Sequence, residues 1–310
     1  MDRLEAMTLL VAAVETGSLS AAGRKLGAPL PTVSRKISEL EAHLGVRLLT
    51  RSTRSLSLTD AGEAYVAACR RILEQVDDAE RAASGEYQTP KGDLVVTAPI
   101  VFGRLHVLPI IVDFLAAYPD IDVRLSLSDR NVHLIDDHVD LAVRIGPLAD
   151  SALIATNVGS ERRVICGSPT FFTRHGTPQA PVDLSNLSVI SMDVFAQATS
   201  WEFAVPGSKT VQNVPIHARL SVNTAEAAVD AAIAGIGITR VLFYQAARAI
   251  AAGTLRPVLT EFESTPAPVN LVHAGQGTLP QKTRAFLDFA APRIRARHTK
   301  SPSDLPLPSP

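Results

Sequence analysis

A cluster of basic residues lies near the start of this sequence. Between Ser20 and Leu58 there are seven basic and two acidic residues, a local net charge of +5. The whole chain carries −1, so the remaining residues sum to −6. Compact groups of arginine and lysine bind phosphate backbones. The asymmetry therefore predicts that this part of the chain binds a phosphate backbone, such as that of double-stranded DNA.

The segment PLPTVSRKISELE, residues 29–41, is the best candidate for contacting bases. At 3.6 residues per turn, its apolar residues and Leu44 form a narrow stripe, whereas the opposite face is small or basic apart from Glu39. Pro31 suits the first helical turn. Short side chains allow close approach, and an arginine binds guanine edges or phosphates. The predicted DNA-binding residues here, with one on the preceding helix, are Ser20, Leu30, Pro31, Thr32, Ser34, Arg35, Lys36 and Ser38.

The neighbouring sequence places this helix in a small DNA-binding fold. A helix through about Val14 is followed by a short one at 18–26, capped by Ser18 or Ser20, and by a turn at Gly27–Ala28. Two short helices in this order form a helix-turn-helix, whose second helix enters the major groove. Apolar residues on either side of TRSTRS then predict a hairpin. At its tip we expect phosphate contacts from Arg51, Thr53 and Arg54.

A long helix is predicted from about Thr59 to Ser84. Its apolar residues recur every three to four positions, at Tyr65, Cys69, Ile72, Val76 and Ala79. About 25 residues make a rod of roughly 37 Å, which is too long for a small core to cover. The helix either packs on its own domain or forms a coiled-coil-like dimer contact; we favour the dimer.

Beyond a linker at residues 85–93, strand and helix patterns alternate along the chain. This alternation predicts an α/β domain with mainly parallel sheets, closed by an amphipathic helix at 283–297. The tail 298–310 is rich in proline and serine and is predicted to be disordered.

The stretch GSLSAAGRKLGAPLPTVSRKISELEAHLGVRLLTRSTRSLSLTDAG resembles the winged helix-turn-helix of the LysR-type transcriptional regulators. Further along, DLAVRIG, SPTFFTRHG, AGIGI and RAFLDF resemble the effector domain of that family, so the similarity extends from residue 1 to about 297. Two positions depart from the family pattern. Pro29–Leu30 replaces the usual Ser-Gln pair, and Leu242 stands where a proline is usual.

The resemblance implies an α + α/β architecture in three parts. These are a winged helix-turn-helix at 1–58, a linker and dimerisation helix with a hinge at 59–91, and an effector-binding domain at 92–297. It also implies a homodimer or homotetramer that binds an inverted-repeat operator, with DNA binding or activation modulated by a small-molecule effector.

The resemblance further implies that the effector domain has two subdomains, at 92–161 with 268–297 and at 162–267. In open α/β sheets, ligands bind beyond the carboxyl ends of strands and against helix N-termini. Hydroxyls, backbone N–H groups and an arginine suit a small anion. The expected effector-binding residues are Thr97, Ala98, Pro99, Phe102, Ser128, Arg144, Ile145, Gly146, Trp201, Asn223, Thr224 and Ile238.

Other chemistries are less well supported by the sequence. The segment HLIDDHVD at 133–140 invites a metal site, but its histidines are five apart, and we interpret it as a solvated turn without metal. The sequence has no glycine-rich phosphate loop, GxSxG or HExxH motif, so we expect neither an enzyme nor a cofactor.

A solute-binding protein is the alternative function, because its domain would resemble the C-terminal half. The basic N-terminal module and the acidic residues within the first apolar pattern, which is unlike a signal peptide, argue against it. The two cysteines have no CxxC context, and no stretch approaches 18 uncharged apolar residues. We therefore expect a cytoplasmic protein with reduced thiols and no membrane contact.

Overall fold

The computed structural model describes residues 2–51, 56–84, 89–130, 134, 137, 139–148, 153–192, 200–208, 210–274 and 279–298. The chain divides into two compact units, Met1–Thr89 and Pro90–Pro310. The tail predicted to be disordered lies outside the described residues, except for His298, which ends the last helix.

Four helices form most of the first unit. They are α1 (Arg3–Thr16), α2 (Leu19–Leu26), α3 (Leu30–Leu44) and α4 (Asp60–Ser84). The Ser18 hydroxyl caps α2 by accepting the Ala21 N–H, which makes Ser18 rather than Ser20 the capping residue. Glycines in the left-handed conformation end the first three helices, at Gly17, Gly27 and Gly45.

The apolar stripe of α3 is the centre of the small core in this unit. Val33, Ile37 and Leu40 are fully buried and pack with α1 and α2. Gly23 allows the turn after α2 to close, because a Cβ on this residue would lie 2.5 Å from the carbonyl oxygen of Ala28. The tight turn and the buried stripe together fix the direction in which α3 presents its outer face.

The predicted hairpin is present. Strand β1 (Leu49–Arg51) pairs antiparallel with β2 (Leu56–Leu58). The Glu41 carboxylate accepts the backbone N–H groups of Leu48 and Leu49, at 2.8 and 3.0 Å, and so ties the hairpin to the end of α3. The predicted contacts Thr53 and Arg54 lie outside the described residues, as does the side chain of Arg51.

The second unit contains two five-stranded sheets and a hairpin. Its strands are β3 (Gly92–Ala98), β4 (Ile121–Leu127), β5 (Leu141–Ile145), β6 (Leu153–Glu161), β7 (Arg163–Gly167), β8 (Ser188–Ser191), β9 (Ser200–Ala204), β10 (Val211–Pro215), β11 (His217–Ser221), β12 (Ile238–Leu242), β13 (Arg256–Val258) and β14 (Ala267–Ala274). Its helices are α5 (Ile100–Phe102), α6 (Leu108–Ala117), α7 (Pro169–His175), α8 (Ala225–Ile233), α9 (Phe243–Ala251) and α10 (Gln281–His298). A π-helical turn, Gly103–Val107, joins α5 to α6, and short 3-10 helices span Pro181–Asn186 and Thr260–Phe262.

Each sheet defines one subdomain. Subdomain I has the strand order β4-β3-β5-β14-β6, and subdomain II has the order β11-β8-β12-β7-β13. Strands β9 and β10 form a separate antiparallel hairpin. The chain passes from subdomain I to subdomain II between the end of β6 at Glu161 and the start of β7 at Arg163, and it returns through β14.

The expectation of mainly parallel sheets was wrong. In each sheet two pairings are parallel and two are antiparallel. The physical reason is that the chain crosses between the subdomains twice. On its return, β14 lies between β5 and β6 and pairs antiparallel with both. In subdomain II, β7 likewise runs against β12 and β13.

The apolar segment Ile100–Ala117 is a core helix of subdomain I. By length and composition alone it could cross a membrane. In the structure Phe102, Ile110 and Phe114 are buried in the main core of the subdomain, where Phe286 of α10 packs on Phe114. Arg104 interrupts the apolar sequence and is exposed. The hydrophobicity of this segment is therefore explained by burial within the domain.

Candidate functional site

The outer face of α3 is the first candidate site. Leu30, Pro31, Arg35 and Ser38 are exposed there, and Thr32 and Ser34 are half-buried beside them. Ser20, the candidate on α2, is also half-buried. Pro29 is the N-cap residue of α3, and Leu30 and Pro31 form its first turn, so the unusual residues at 29–30 begin the helix without a side-chain cap.

Several cations of the basic cluster are already paired with carboxylates. Arg35 donates to Glu39 on the same helix at 2.5 Å, and Lys25 of α2 donates to Glu15 of α1 at 3.0 Å. Lys36 pairs with Glu5 of α1, and its side chain is only 16% exposed. The structure thus directs Lys36 toward α1 and leaves Arg35 as the cation on the outer face of α3.

Two arginines that the sequence analysis did not single out have more freedom. Arg24, near the end of α2, and Arg47, just before β1, are exposed. Neither makes a side-chain hydrogen bond or ion pair with any residue in the described part of the chain. Among the described residues of this unit, they are therefore candidates for phosphate contacts. The signal available in the sequence was their membership of the basic cluster.

The second candidate site is a cleft of about 460 Å³ between the subdomains. The predicted residues that the structure brings together in its lining are Thr97, Ala98, Pro99, Ser128, Arg144 and Ile145. They follow or end β3, β4 and β5, whose carboxyl ends meet at one edge of the sheet. Subdomain II contributes the end of β12 and the start of α9, through Val241, Leu242, Tyr244 and Gln245, together with Met192 after β8.

Among the described residues, four arginines line this cleft against one acidic residue, Asp129. The arginines are Arg130, Arg144, Arg163 and Arg240. The sequence analysis had identified Arg144 alone. Burial lowers the pKa of Arg144. For Arg240, burial and then the positive charge of Arg163 lower the pKa to about 10. The cleft therefore holds cations that have lost part of their hydration and lie close to like charges.

The pairing of β7 with β12 explains why Arg163 and Arg240 repel each other. Arg163 lies opposite Leu242 in this antiparallel pair, so Arg240 is its diagonal neighbour on the same face. The guanidinium of Arg240 stacks on the Trp201 ring, with 4.9 Å from its carbon to the ring centre, and donates to the Glu202 carbonyl oxygen at 3.2 Å. These contacts hold Arg240 in place despite the like charge beside it.

Six of the predicted effector-binding residues are not among those lining the cleft. Trp201 is buried beneath Arg240, and Phe102 lies in the core of subdomain I. Gly146 follows β5 with a φ of 119°. The prediction for Ile238 assumed that a strand ends there, which was wrong: β12 begins at Ile238 and ends at Leu242.

Asn223 and Thr224 are not among the described residues that line the cleft. They follow β11, which is the edge strand of its sheet, whereas the cleft forms at β12 and β7. The Thr224 hydroxyl caps α8 by accepting the Ala227 N–H at 3.3 Å.

Leu242, which stands where the family usually has a proline, directly precedes α9. The Gln245 side chain accepts the backbone N–H of Leu242 at 2.8 Å. A glutamine thus organises the start of this helix.

An aromatic contact joins the two subdomains at the back of the cleft. Tyr244 of α9 packs edge-on against Phe102, with 5.5 Å between ring centres, and against His106 at 5.8 Å. Burial and the negative charge of Glu161 raise the pKa of Tyr244, which therefore stays a neutral phenol. Burial also raises the pKa of Asp129, although its carboxylate accepts the Ile100 N–H at 3.0 Å.

The predicted dimerisation residues divide into two groups along α4. Tyr65 packs against the core of the first unit, and Cys69 is fully buried. Further along, Ile72 is 40% exposed, Ala79 is exposed and Val76 is half-buried. The start of α4 therefore packs on its own unit, and its later turns present apolar side chains to solvent.

The described residues of the 133–140 segment are Leu134, Asp137, Val139 and Asp140, so the histidines considered as metal ligands lie outside them. Asp140 is engaged structurally: its carboxylate accepts the Val95 N–H at 2.8 Å and lies 3.6 Å from the Lys282 ammonium. This acid stabilises the start of β5 within subdomain I.

A helix-turn-helix with a hairpin wing, followed by a two-subdomain α/β domain with a polar cleft, defines a class of DNA-binding regulator with a ligand-binding domain. Two family models match the chain. Residues 4–63 match the bacterial regulatory helix-turn-helix protein, lysR family, and residues 87–295 match the LysR substrate binding domain.

Individual relatives agree with these matches. An HTH-type transcriptional repressor of Pseudomonas aeruginosa (strain UCBPP-PA14) is 35% identical over 93% of this chain and 91% of its own. The transcriptional activator AaeR of Escherichia coli (strain K12) is 31% identical over 93% of each chain. The structure of CrgA, a LysR-type transcriptional regulator from Neisseria meningitidis, is 31% identical with a TM-score of 0.58, covering 94% of this chain and 98% of that one. The chain belongs to the LysR family of transcriptional regulators.

Proposed function

We propose that this LysR-type regulator binds an inverted-repeat operator through α3 and responds to a small anionic effector in the cleft between its subdomains. The family accounts for DNA binding and transcriptional regulation in general. The specific roles of the residues rest on the geometry of the two sites. The observation that carries the effector proposal is the set of four arginines around the cleft, drawn from both subdomains.

The chemistry of the cleft favours an anion over a neutral or cationic ligand. Guanidinium groups bind carboxylates and phosphates through paired, charge-assisted hydrogen bonds. An anion would offset the repulsion between Arg163 and Arg240 and would replace part of the hydration that Arg240 has lost. Because Arg144 comes from subdomain I and Arg240 from subdomain II, one bound anion could contact both walls and bias how the subdomains close.

The DNA-binding role rests on the exposed face of α3. Arg35 projects from that face among small side chains, and Arg24 and Arg47 are exposed cations on the same unit, with no side-chain partner among the described residues. We assign base reading to Arg35 and phosphate contacts to Arg24, Arg47 and the hairpin arginines Arg51 and Arg54. Phosphate contacts position such a module, whereas base contacts give the sequence preference.

We further propose that the active protein is a homodimer, or a tetramer of two dimers, joined through α4. The exposed apolar residues Ile72 and Ala79 support this proposal, because an unpartnered apolar face on a long helix is stabilised by a second copy. A regulator that acts on chromosomal DNA is expected to work in the cytoplasm.

The proposed effector role is tested with DNA-binding measurements on the full-length protein. Selection from a randomised duplex pool first provides a bound sequence. Affinity for that duplex is then measured in the presence of small carboxylates, phosphate and sulfate, alongside neutral and cationic compounds of similar size. We expect at least one anion to change the affinity for DNA and Arg240→Gln to abolish the change. A response to neutral compounds alone, or one that Arg240→Gln leaves intact, would contradict the assignment.

A further inference from the structure

The ion pair between Arg35 and Glu39 puts a carboxylate on the face that contacts DNA. Glu39 is the single acidic residue in the segment 29–40, and it lies one turn beyond Arg35 on the same side of α3. Its side chain is 39% exposed and that of Arg35 is 60% exposed. A carboxylate at this position repels phosphates, so it opposes DNA binding in general.

The contribution of Glu39 to the stability of the fold does not by itself explain why an acidic residue occupies this position. Exposed ion pairs four residues apart on a helix contribute little to the stability of the fold. The other glutamate of α3, Glu41, has a structural function, because it accepts two backbone N–H groups of the segment leading into the wing. The described contacts of the Glu39 side chain give it no such backbone partner, and its carboxylate contacts Arg35.

We propose that Glu39 is a specificity-determining residue, which selects for a cytosine next to the guanine that Arg35 contacts. This inference rests on the proposed role of α3 in reading DNA. A carboxylate in the major groove accepts a hydrogen bond from the N4 amino group of cytosine and is repelled by the acceptor atoms of guanine and thymine. Selection therefore comes from an attraction to one base and a repulsion from others.

The spacing of Arg35 and Glu39 on α3 allows the two side chains to contact two adjacent bases. Side chains four residues apart on a helix have their Cβ atoms about 5–6 Å apart. The guanidinium has five N–H donors, and Glu39 engages the Nη1 group. The remaining donors of Arg35 are available for the O6 and N7 atoms of guanine. Glu39 therefore also acts as a positioning residue, because it restricts the orientations of the Arg35 fork.

The test compares the sequences selected by three forms of the full-length protein from one randomised duplex pool. The forms are the wild type, Glu39→Gln and the matched control Glu15→Gln. The control removes one carboxylate on α1 rather than on α3, together with its ion pairs to Lys25 and to Arg70 of α4. Both substitutions are close to isosteric and lie at partly exposed side chains, so the fold is expected to survive, which circular dichroism verifies.

We expect both variants to bind random duplex more tightly than the wild type at equal salt, because each has lost a negative charge. Only Glu39→Gln should lose the preference for cytosine beside the guanine, a discrimination on the order of tenfold in the wild type. An unchanged selected sequence for Glu39→Gln would overturn the inference. A wild type that enriches no sequence would instead overturn the proposed DNA-reading role of α3, so the two failures are distinguishable.

Discussion

Arg240 stacks on Trp201 with 4.9 Å between the guanidinium carbon and the ring centre, so a buried tryptophan supports a cation at the edge of the cleft. Trp201 is the single tryptophan of the chain. A cation over an indole contributes about 0.5–2 kcal/mol, depending on how far it is desolvated. A change in the position of the Arg240 guanidinium is therefore expected to alter the fluorescence of Trp201, the single tryptophan of the chain.

The first prediction uses this fluorophore. Binding of an anion to Arg240 should shift or change the intensity of the Trp201 emission in a saturable way, because the anion withdraws or reorients the stacked guanidinium. A fluorescence titration with the anion that affects DNA binding measures the effect. The matched comparison is Arg240→Gln, which should show no saturable change. Saturable binding by calorimetry together with an unaltered emission in the wild type would place the ligand elsewhere.

A second prediction concerns the repulsion across β7 and β12. Arg163→Gln should stabilise the protein without ligand by about 0.2–1 kcal/mol, because it removes a like charge beside Arg240. The same change should weaken anion binding roughly tenfold, since a charge-assisted hydrogen bond is lost. Thermal unfolding with and without the anion measures both quantities.

The control for this experiment is Arg219→Gln on the edge strand β11, which is an exposed arginine outside the cleft lining. It should alter neither the unfolding temperature nor the anion affinity appreciably. If Arg163→Gln lowered both stability and affinity, Arg163 would be a structural residue, and the account of mutual repulsion would be refuted.

A third prediction tests the later turns of α4. Ile72→Glu should dissociate the dimer, because it places a charge on the apolar face that a second copy would cover. Sedimentation velocity compares the masses of this variant and of Arg71→Glu, an exposed charge reversal at the adjacent position. Dissociation by Ile72→Glu alone supports the assignment. An unchanged mass for Ile72→Glu would show that α4 does not hold the copies together.

A fourth prediction follows from the environments of the two thiols. Burial raises the pKa of Cys69 to about 11 and that of Cys166 to about 12. At pH 8 the reactive thiolate is therefore about a thousandth of Cys69 and less of Cys166. A colorimetric disulfide reagent should label neither thiol rapidly in the native protein and both in denaturant. Rapid labelling of one thiol in the native state would contradict the burial described for it.

The helix-turn-helix could be predicted closely because its signals are local. Gly27 and Gly45 end helices, and the stripe of Val33, Ile37 and Leu40 depends only on the helical repeat. The ion pair between Lys36 and Glu5 could not be predicted from local signals, because the two residues are 31 positions apart in the sequence. Only the packing of α3 on α1 brings them together and removes Lys36 from the outer face.

The cleft was predictable in part for a similar reason. Each of three mostly apolar strands contains one arginine, which is a local sign of a polar site: Arg144 lies within LAVRI, Arg163 begins RVICG and Arg240 lies within ITRVL. Which of these strands become neighbours depends on the strand order, and that order is set by contacts distant in sequence. The same order places Asn223 and Thr224 after the edge strand β11, which β8 separates from β12, and the two residues are not among the described residues that line the cleft.

The central claim is that α3 reads DNA sequence through Arg35. The most direct measurement is the affinity of the wild type, Arg35→Ala and Arg47→Ala for a selected duplex and for a scrambled duplex of the same composition. Arg35→Ala should weaken binding to the selected duplex by about 1–3 kcal/mol more than it weakens binding to the scrambled duplex, where only the lost charge counts. Arg47→Ala should weaken both alike and reduce the dependence on salt. Equal losses on both duplexes for Arg35→Ala, or no loss at all, would contradict the account.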